Sequence, residues 1–251
     1  MGRNKLGQHF LIDQSIVEAE IHYADLQKED VVLEIGPGKG ILTTRLATKV
    51  RQVIALEIDP TLVAFLQERV PSNVLLIHAD AVTYDFKTLP PFTKIVANLP
   101  FQISSPLTFK LLDYPFEKAI LIYQKDFAQR MIAQAGTKDY SRLSVAIYYK
   151  TYCKLLQNVG KTCFSPPPQV NASIVELCPR PHPPFEVLDE TFFFTLTKHL
   201  FSHRRKKIQN TVKEYYGESI DSPYAEKRVD ALTPEQIGAI STFLYKKFRN
   251  K

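Results

Sequence analysis

The sequence predicts an α/β fold: a seven-stranded, mostly parallel sheet ending in an antiparallel hairpin, followed by a small helical domain. Three observations predict it. From Asp30 onward, short runs rich in β-branched residues alternate with helical patterns, as βαβ units do when a parallel sheet is covered on both faces. From Cys153 the pattern changes to two strand-like runs separated by a proline-rich loop with no room for a crossover helix, so the pair should be antiparallel. Finally, Pro179, Pro181, Pro183 and Pro184 cluster ahead of mainly helical patterns, and proline on this scale marks a linker.

The elements follow in order. Val31 to Ile35 reads as a strand, Leu42 to Lys49 as a helix, Gln52 to Leu56 as a strand and Thr61 to Glu68 as a helix. Val74 to His78, Lys94 to Ala97 and Lys118 to Tyr123 complete the parallel set, with helices at Ser105 to Leu112 and Lys125 to Ala133 after the last two. Cys153 to Val159 and Asn171 to Leu177 form the hairpin. Helical patterns then run from Thr191 to Tyr216 and from Thr233 to Phe248, the second opening on Thr233-Pro234-Glu235, a good helix start,. The expected organisation is a ligand-binding catalytic domain over 1–182 and a helical domain over 183–251.

Composition narrows the class of function. The 251 residues are 45% hydrophobic and 23% charged, enough for a sizeable core. No apolar run approaches the roughly 20 residues that span a bilayer. The Met1-Gly2-Arg3 start lacks a secretory pattern, and Leu6 breaks a myristoylation motif,; a cytoplasmic protein is expected. Cys153, Cys163 and Cys178 have no paired spacing and no neighbouring histidines, so no metal site and no disulfide framework are expected. A net charge of +6 and a pI near 9.1 suit a polyanionic partner without naming one,.

The chemistry-bearing residues sit where strands end. Leu33-Glu34-Ile35-Gly36-Pro37-Gly38-Lys39-Gly40 carries a strand into a helix. Its glycines permit tight turning and close approach of a ligand to the backbone, but the spacing is neither the dinucleotide fingerprint nor a P-loop. Such a turn is also compatible with no ligand at all. Glu57 ends the next strand about 20 residues later, where a carboxylate can accept hydrogen bonds from two ribose hydroxyls. Asp80 follows the third strand, placed to meet an adenine amine, with Ile58 and Ala81 beside these acids. Acids at strand ends also serve as helix caps; it is the ordered set that points to a nucleoside ligand.

Asn98-Leu99-Pro100-Phe101 follows the fourth strand. An exocyclic adenine nitrogen is a poor nucleophile, because its lone pair is delocalised into the ring. The Asn98 carbonyl and a backbone carbonyl of a proline-stiffened loop can accept its two N–H groups and favour a lone pair aimed at an incoming group. Phe101 offers a face for the base, worth roughly 1–3 kcal/mol. The same tetrapeptide could be a plain turn with a core phenylalanine.

These residues resemble the ribosomal RNA adenine dimethyltransferase family. Amino methyltransferases carry Asp, Asn or Ser, then usually Ile or Pro, then Pro, then Tyr or Phe; Leu99 in second place is typical of the ribosomal RNA enzymes. Gly7-Gln8-His9-Phe10-Leu11-Ile12-Asp13, Tyr140-Ser141-Arg142-Leu143-Ser144-Val145 and Phe164-Ser165-Pro166-Pro167-Pro168-Gln169-Val170 resemble three further family segments, so the likeness covers nearly the whole chain. It implies the Rossmann-like class I methyltransferase fold, with S-adenosylmethionine as cofactor. By the same resemblance, His9, Leu11, Gly36, Gly38, Glu57, Ile58, Asp80, Ala81 and Asn98 would contact the cofactor. Asn98, Leu99, Pro100, Phe101 and Phe164 would form the catalytic site, with Phe164 as a second stacking wall. His9 departs from the commoner Asn but can still donate a hydrogen bond; Phe101 departs from the commoner Tyr and removes a hydroxyl.

His203-Arg204-Arg205-Lys206-Lys207 reads as a basic cluster on a helix. Arg204, Arg205, Lys206 and Lys207 are the expected RNA contacts, against the plain alternative of a solvated helix face; Arg3 and Lys5 form a shorter basic arm. The resemblance implies dimethylation of two adjacent adenosines near the 3′ end of small-subunit ribosomal RNA, within an immature small subunit; a monomer is expected because the sequence has no obvious dimer motif. Competing readings are a large-subunit enzyme of the antibiotic-resistance type, a non-catalytic nucleic-acid-binding protein on the same fold, and a nicotinamide-dependent oxidoreductase. The last leaves Asn98 to Phe101 unexplained.

Overall fold

The computed structural model describes residues 8–217 and 220–249. The basic arm of Arg3 and Lys5 and the first residue of the Gly7 segment lie outside them. Described in chain order, the elements are β1 (Phe10–Leu11), α1 (Gln14–Ala24), β2 (Val31–Ile35), α2 (Ile41–Ala47), β3 (Gln52–Glu57), α3 (Pro60–Gln67), β4 (Val74–His78), β5 (Lys94–Asn98), α4 (Ser104–Leu111), β6 (Lys118–Gln124), α5 (Lys125–Met131), α6 (Arg142–Lys150), β7 (Thr151–Val159), β8 (Phe164–Ser165), β9 (Ala172–Pro179), α7 (Glu190–Ser202), α8 (Ile208–Tyr216) and α9 (Pro234–Arg249). None of the described helices is long and apolar enough to cross a membrane.

Two compact units result: Met1–Ala128 with Tyr152–Pro179, and Gln129–Thr151 with Arg180–Lys251. The sequence reading drew its boundary between 182 and 183; the helical unit also takes 129–151. The reason is apolar. Tyr140, Val145 and Tyr149, in and just before α6, are buried in one cluster with Phe193, Leu196, Ile237 and Leu244 of α7 and α9,.

In the first unit a seven-stranded sheet has the order β4-β3-β2-β5-β6-β9-β7. The β2–β3, β2–β5, β3–β4 and β5–β6 pairs are parallel, and β9 runs antiparallel to β6. Each residue of β2 is buried, as expected of a β-branched strand covered on both faces. Ile35 pairs with Leu56, Glu57 with His78 and Asn98 with Ile122. The carboxyl ends of β2, β3, β4 and β5 therefore share one edge, where open α/β sheets hold ligands.

Three local assignments differ from the sequence reading. Helix α1 was not anticipated, although Asp13 caps it by accepting from Ser15 N–H at 2.9 Å,. Its buried face is Ile16, Val17, Glu20 and Ala24, so a carboxylate interrupts the apolar stripe that would have announced it. The expected helix over Thr191 to Tyr216 is two helices, and the basic run from His203 to Lys207 occupies the turn between them. Arg and Lys are good helix formers, but 203–207 offers no apolar residue to anchor a helical turn. Finally, the loop between the last two strands contains β8, which pairs antiparallel with β1 in a separate two-stranded sheet.

Candidate active site

A cleft opens along the shared sheet edge. Among its lining residues are His9, Phe10 and Leu11; Glu34, Gly36 and Gly38; Glu57 and Ile58; Asp80 and Ala81; and Asn98 to Ile103. Four βα turns and the N-terminal segment thus converge on one space. Every cofactor-binding residue expected from the sequence lines it, as do Asn98, Leu99, Pro100 and Phe101.

The glycine turn is shaped for close approach. Gly36 and Gly38 hold φ of +70° and +59°, a region that L side chains rarely adopt. A Cβ on Gly38 would lie 2.9 Å from Cδ1 of Phe10, and one on Gly36 would lie 3.3 Å from Cδ of Pro100. The turn therefore accepts an aromatic ring on one side and the proline of the β5 loop on the other.

Three acids face the cleft in different states. Glu57 is buried and accepts backbone N–H bonds from Gly38 at 3.1 Å, Ile58 at 2.9 Å and Asp59 at 3.0 Å. Burial pushes its carboxyl up, and these bonds oppose the shift,. Oε1 takes two of these bonds and Oε2 one, which leaves Oε2 a lone pair for a hydroxyl donor,. Asp80 uses Oδ1 to accept from Val82 N–H at 2.8 Å, fixing the turn after β4. Glu34, which the sequence reading quoted only as part of the glycine motif, is 2% exposed, and its Oε2 has no hydrogen-bond partner. Burial raises its carboxyl to about 8, with the nearby Glu57 carboxylate adding to the effect.

Across the cleft, Asn98 ends β5 and Phe101 starts a short 3-10 turn, Phe101–Ile103, that leads into α4. Among the described residues, no protein group hydrogen-bonds the Asn98 carboxamide. Leu99 is buried, so it can offer a ligand its backbone rather than its side chain. The Phe101 ring sits 6.0 Å from His9 and 6.3 Å from Phe164, centroid to centroid.

One expected residue is placed otherwise than the resemblance implied. Phe164 does not line the cleft: it is 2% exposed, packed in the core cluster with Leu11 and Ile16, and presents its edge to Phe101 at 67°. Its position in β8, paired with Leu11, turns it inward. His9 sets Nδ1 2.8 Å from the Pro166 carbonyl oxygen. A carbonyl only accepts, so Nδ1 carries the proton of this bond. The Nδ1 donor of His9 is thus engaged by Pro166, while the residue itself lines the cleft.

In the helical unit the basic run is largely engaged. Arg204 donates to the carbonyls of Lys138 at 2.6 Å and Thr137 at 2.9 Å, and pairs with Asp230 at 3.3 Å. Lys206 pairs with Glu214 at 2.6 Å and Lys207 with Glu226 at 2.5 Å. Arg205 is exposed, with no partner among the described residues.

Comparison with known proteins adds the following. The profile of a family described as Ribosomal RNA adenine dimethylase matches residues 1–246. A Methanosarcina acetivorans protein described as "Probable ribosomal RNA small subunit methyltransferase A" is 43% identical over 252 residues, covering 95% of this chain and 92% of that protein. The crystal structure of a dimethyladenosine transferase from Plasmodium falciparum superposes with a TM-score of 0.78 at 28% identity, over 96% of this chain and 98% of that one. The crystal structure of 23S rRNA methyltransferase ErmE gives 0.66 at the same 28% identity, over 94% and 98%.

Proposed function

The chain belongs to the ribosomal RNA adenine dimethylase family, and from that premise we propose that it dimethylates the N6 amines of two adjacent adenosines near the 3′ end of small-subunit ribosomal RNA. The cofactor is S-adenosylmethionine and the substrate an immature small ribosomal subunit, met in the cytoplasm by a monomer. The observation that carries this reading is the Asn98 carboxamide, without a hydrogen-bond partner among the described residues, in one cleft with Phe101, Glu57 and Asp80.

The residues present suit that cofactor. Its cationic centre and hydroxyls call for acids, and Glu57 and Asp80 line the cleft. Its adenosine calls for an apolar surface and hydroxyl acceptors; Ile58 is 46% exposed at the cleft beside the anchored Glu57. Its slender chain calls for a wall without side chains, and Gly36 and Gly38 provide one. When bound, it supplies a methyl group made electrophilic by a positively charged sulfur.

The chain's own residues do the rest by positioning. Glu57 accepts from the ribose hydroxyls, while Asp80 and Ala81 flank the cofactor's adenine. The target adenine must leave its stack to arrive, and Phe101 receives its face. Phe164 buttresses Phe101 from inside the core; the second stacking wall assigned to it by resemblance requires its ring to leave that packing. Asn98 Oδ1 and the Leu99 carbonyl accept the two N–H groups of the amine, which keeps its lone pair pointing at the methyl. Pro100 stiffens the loop that holds both. Arg205, Lys206 and Lys207 face RNA phosphates, with the two lysines exchanging their carboxylate partners for them.

The test is transfer of labelled methyl from S-adenosylmethionine to immature small subunits, with the RNA digested and the nucleoside identified. Label in dimethyladenosine, lost in Asn98→Ala, is expected. Label on large-subunit RNA alone would replace this reading with the resistance-type activity.

A further inference from the structure

A lysine with no assigned part in this reaction sits where it can govern cofactor affinity. Lys110 lies on α4, two helical turns past Phe101. Its ammonium donates to the Ala81 carbonyl at 2.9 Å, to the Val82 carbonyl at 3.0 Å and to the Tyr84 carbonyl, and lies 4.2 Å above the Phe86 ring. An ammonium has three N–H donors and no acceptor, so these carbonyls use all of them.

The carbonyls need that partner. After β4 the chain makes one helical turn, with Thr83 and Tyr84 N–H groups donating back to the Asp80 carbonyl at 3.1 and 2.8 Å. The turn then stops, and no backbone N–H in the loop reaches the carbonyls of Ala81, Val82 or Tyr84. Aligned unpaired carbonyls at the end of a turn concentrate negative potential, and a cation there is stabilising. The same turn carries Asp80 and Ala81 into the cleft, while α4 begins directly behind the Asn98–Phe101 loop.

We propose that Lys110 is a positioning residue: its three hydrogen bonds hold the Asp80–Tyr84 turn in the shape that receives the cofactor's adenine and lock it to the helix behind the catalytic loop. This inference rests on the reading of Asp80 and Ala81 given above. Lys110 itself touches neither cofactor nor substrate. Any side chain lacking three convergent donors leaves carbonyls unpaired and lets the turn relax. Methionine matches the length without the donors, and alanine leaves a space that n-propylammonium fits.

The experiment uses the full chain, with S-adenosylmethionine binding measured by calorimetry beside methyl transfer. Lys110→Met is expected to raise Kd and KM for S-adenosylmethionine at least tenfold, with kcat at saturating cofactor within threefold of the parent. Lys110→Ala should show the same defect and recover at least half of it in millimolar n-propylammonium. Tetramethylammonium, which has charge but no N–H, should not restore it. Unchanged affinity in Lys110→Met overturns the proposal. So does a variant in which affinity, kcat and thermal stability fall together with no rescue by the amine, since that describes a packing defect. Asp80→Ala is measured alongside: wild-type affinity in that variant removes the underlying reading of the turn, and the inference with it.

Discussion

Charge gathers at two places in this molecule, and they use it in opposite ways. In the cleft, Glu57 is anchored by three backbone N–H groups, yet it still lines the space a ligand would occupy. In the basic turn, most of the charge is spent inside the unit. Arg204 ties together two carbonyls and Asp230, and two lysines are held by glutamates. The cleft thus shows preorganisation for a ligand, whereas the turn shows internal cross-linking, with the Arg205 guanidinium free among the described residues. A cluster of like charges in a sequence does not by itself say which of the two it will become.

The largest effect that could break this contrast is at Asn98. Asn98→Ala should lower kcat on the order of 10²- to 10³-fold, read in single-turnover methyl transfer; a loss below tenfold would mean the partnerless carboxamide is not poised for anything. Glu57→Gln comes next, removing a charged acceptor from buried donors. Cofactor Kd should rise about 10- to 100-fold, in line with roughly 1.5–3 kcal/mol for hydrogen bonds to charged groups.

On the other side of the comparison, Arg204→Ala should cost stability more than RNA affinity. A loss of about 1–3 kcal/mol is expected from the stranded carbonyls and Asp230, visible as a fall of several degrees in thermal unfolding. If the melting temperature does not move, the turn is less cross-linked than its geometry indicates. Arg205→Ala should do the reverse, leaving the melting temperature alone and reducing the slope of log K for RNA against log salt by about 0.9.

The smallest effect concerns acids that the cleft does not display. Glu20 is fully buried, neither of its oxygens has a partner, and burial followed by the nearby Glu34 carboxylate raises its carboxyl well above the usual range. Glu34 is raised to about 8 from an ordinary 4.5. Protons held in the folded state are then lost on unfolding above pH 4.5. This stability is complete below that pH and drains away as pH rises through about 8. Glu20→Met removes one of the two groups and should raise the melting temperature by a few degrees at pH 8.5 and by less at pH 5. Equal melting temperatures for the two proteins at pH 8.5 would show that Glu20 finds relief the geometry does not reveal.

Much of the cleft was legible in the sequence because it is built from strand ends. Continuous β-branched runs announce strands, and Gly36, Glu57, Asp80 and Asn98 follow four of them at once, so parallel pairing brings them together without further information. What escaped depended on side chains meeting out of register. Helix α1 was hidden by Glu20 on its buried face. Phe164 is set at the target adenine by resemblance alone; its two-residue strand is too short to leave a periodic signal, and only pairing with Leu11 shows it turned inward. The basic run was read as helical on propensity, which cannot register the missing apolar anchor. Lys110 did leave a trace: it lies three residues after the buried Leu107, half-buried on α4, where a lysine needs a reason.

One consequence of the β1–β8 pairing belongs to time rather than to space. His9 and Pro166, which meet across it, are 157 positions apart in the chain. Made at about 5–20 residues per second, the N-terminal segment emerges about 8 to 30 s before the strand it pairs with. Sheet strands from β2 to β6 can be complete in that interval while the wall at His9 to Leu11 still has nothing to pair with. The wall of the cleft is finished only once β8 has been made, and a nascent chain would acquire its cofactor after that point.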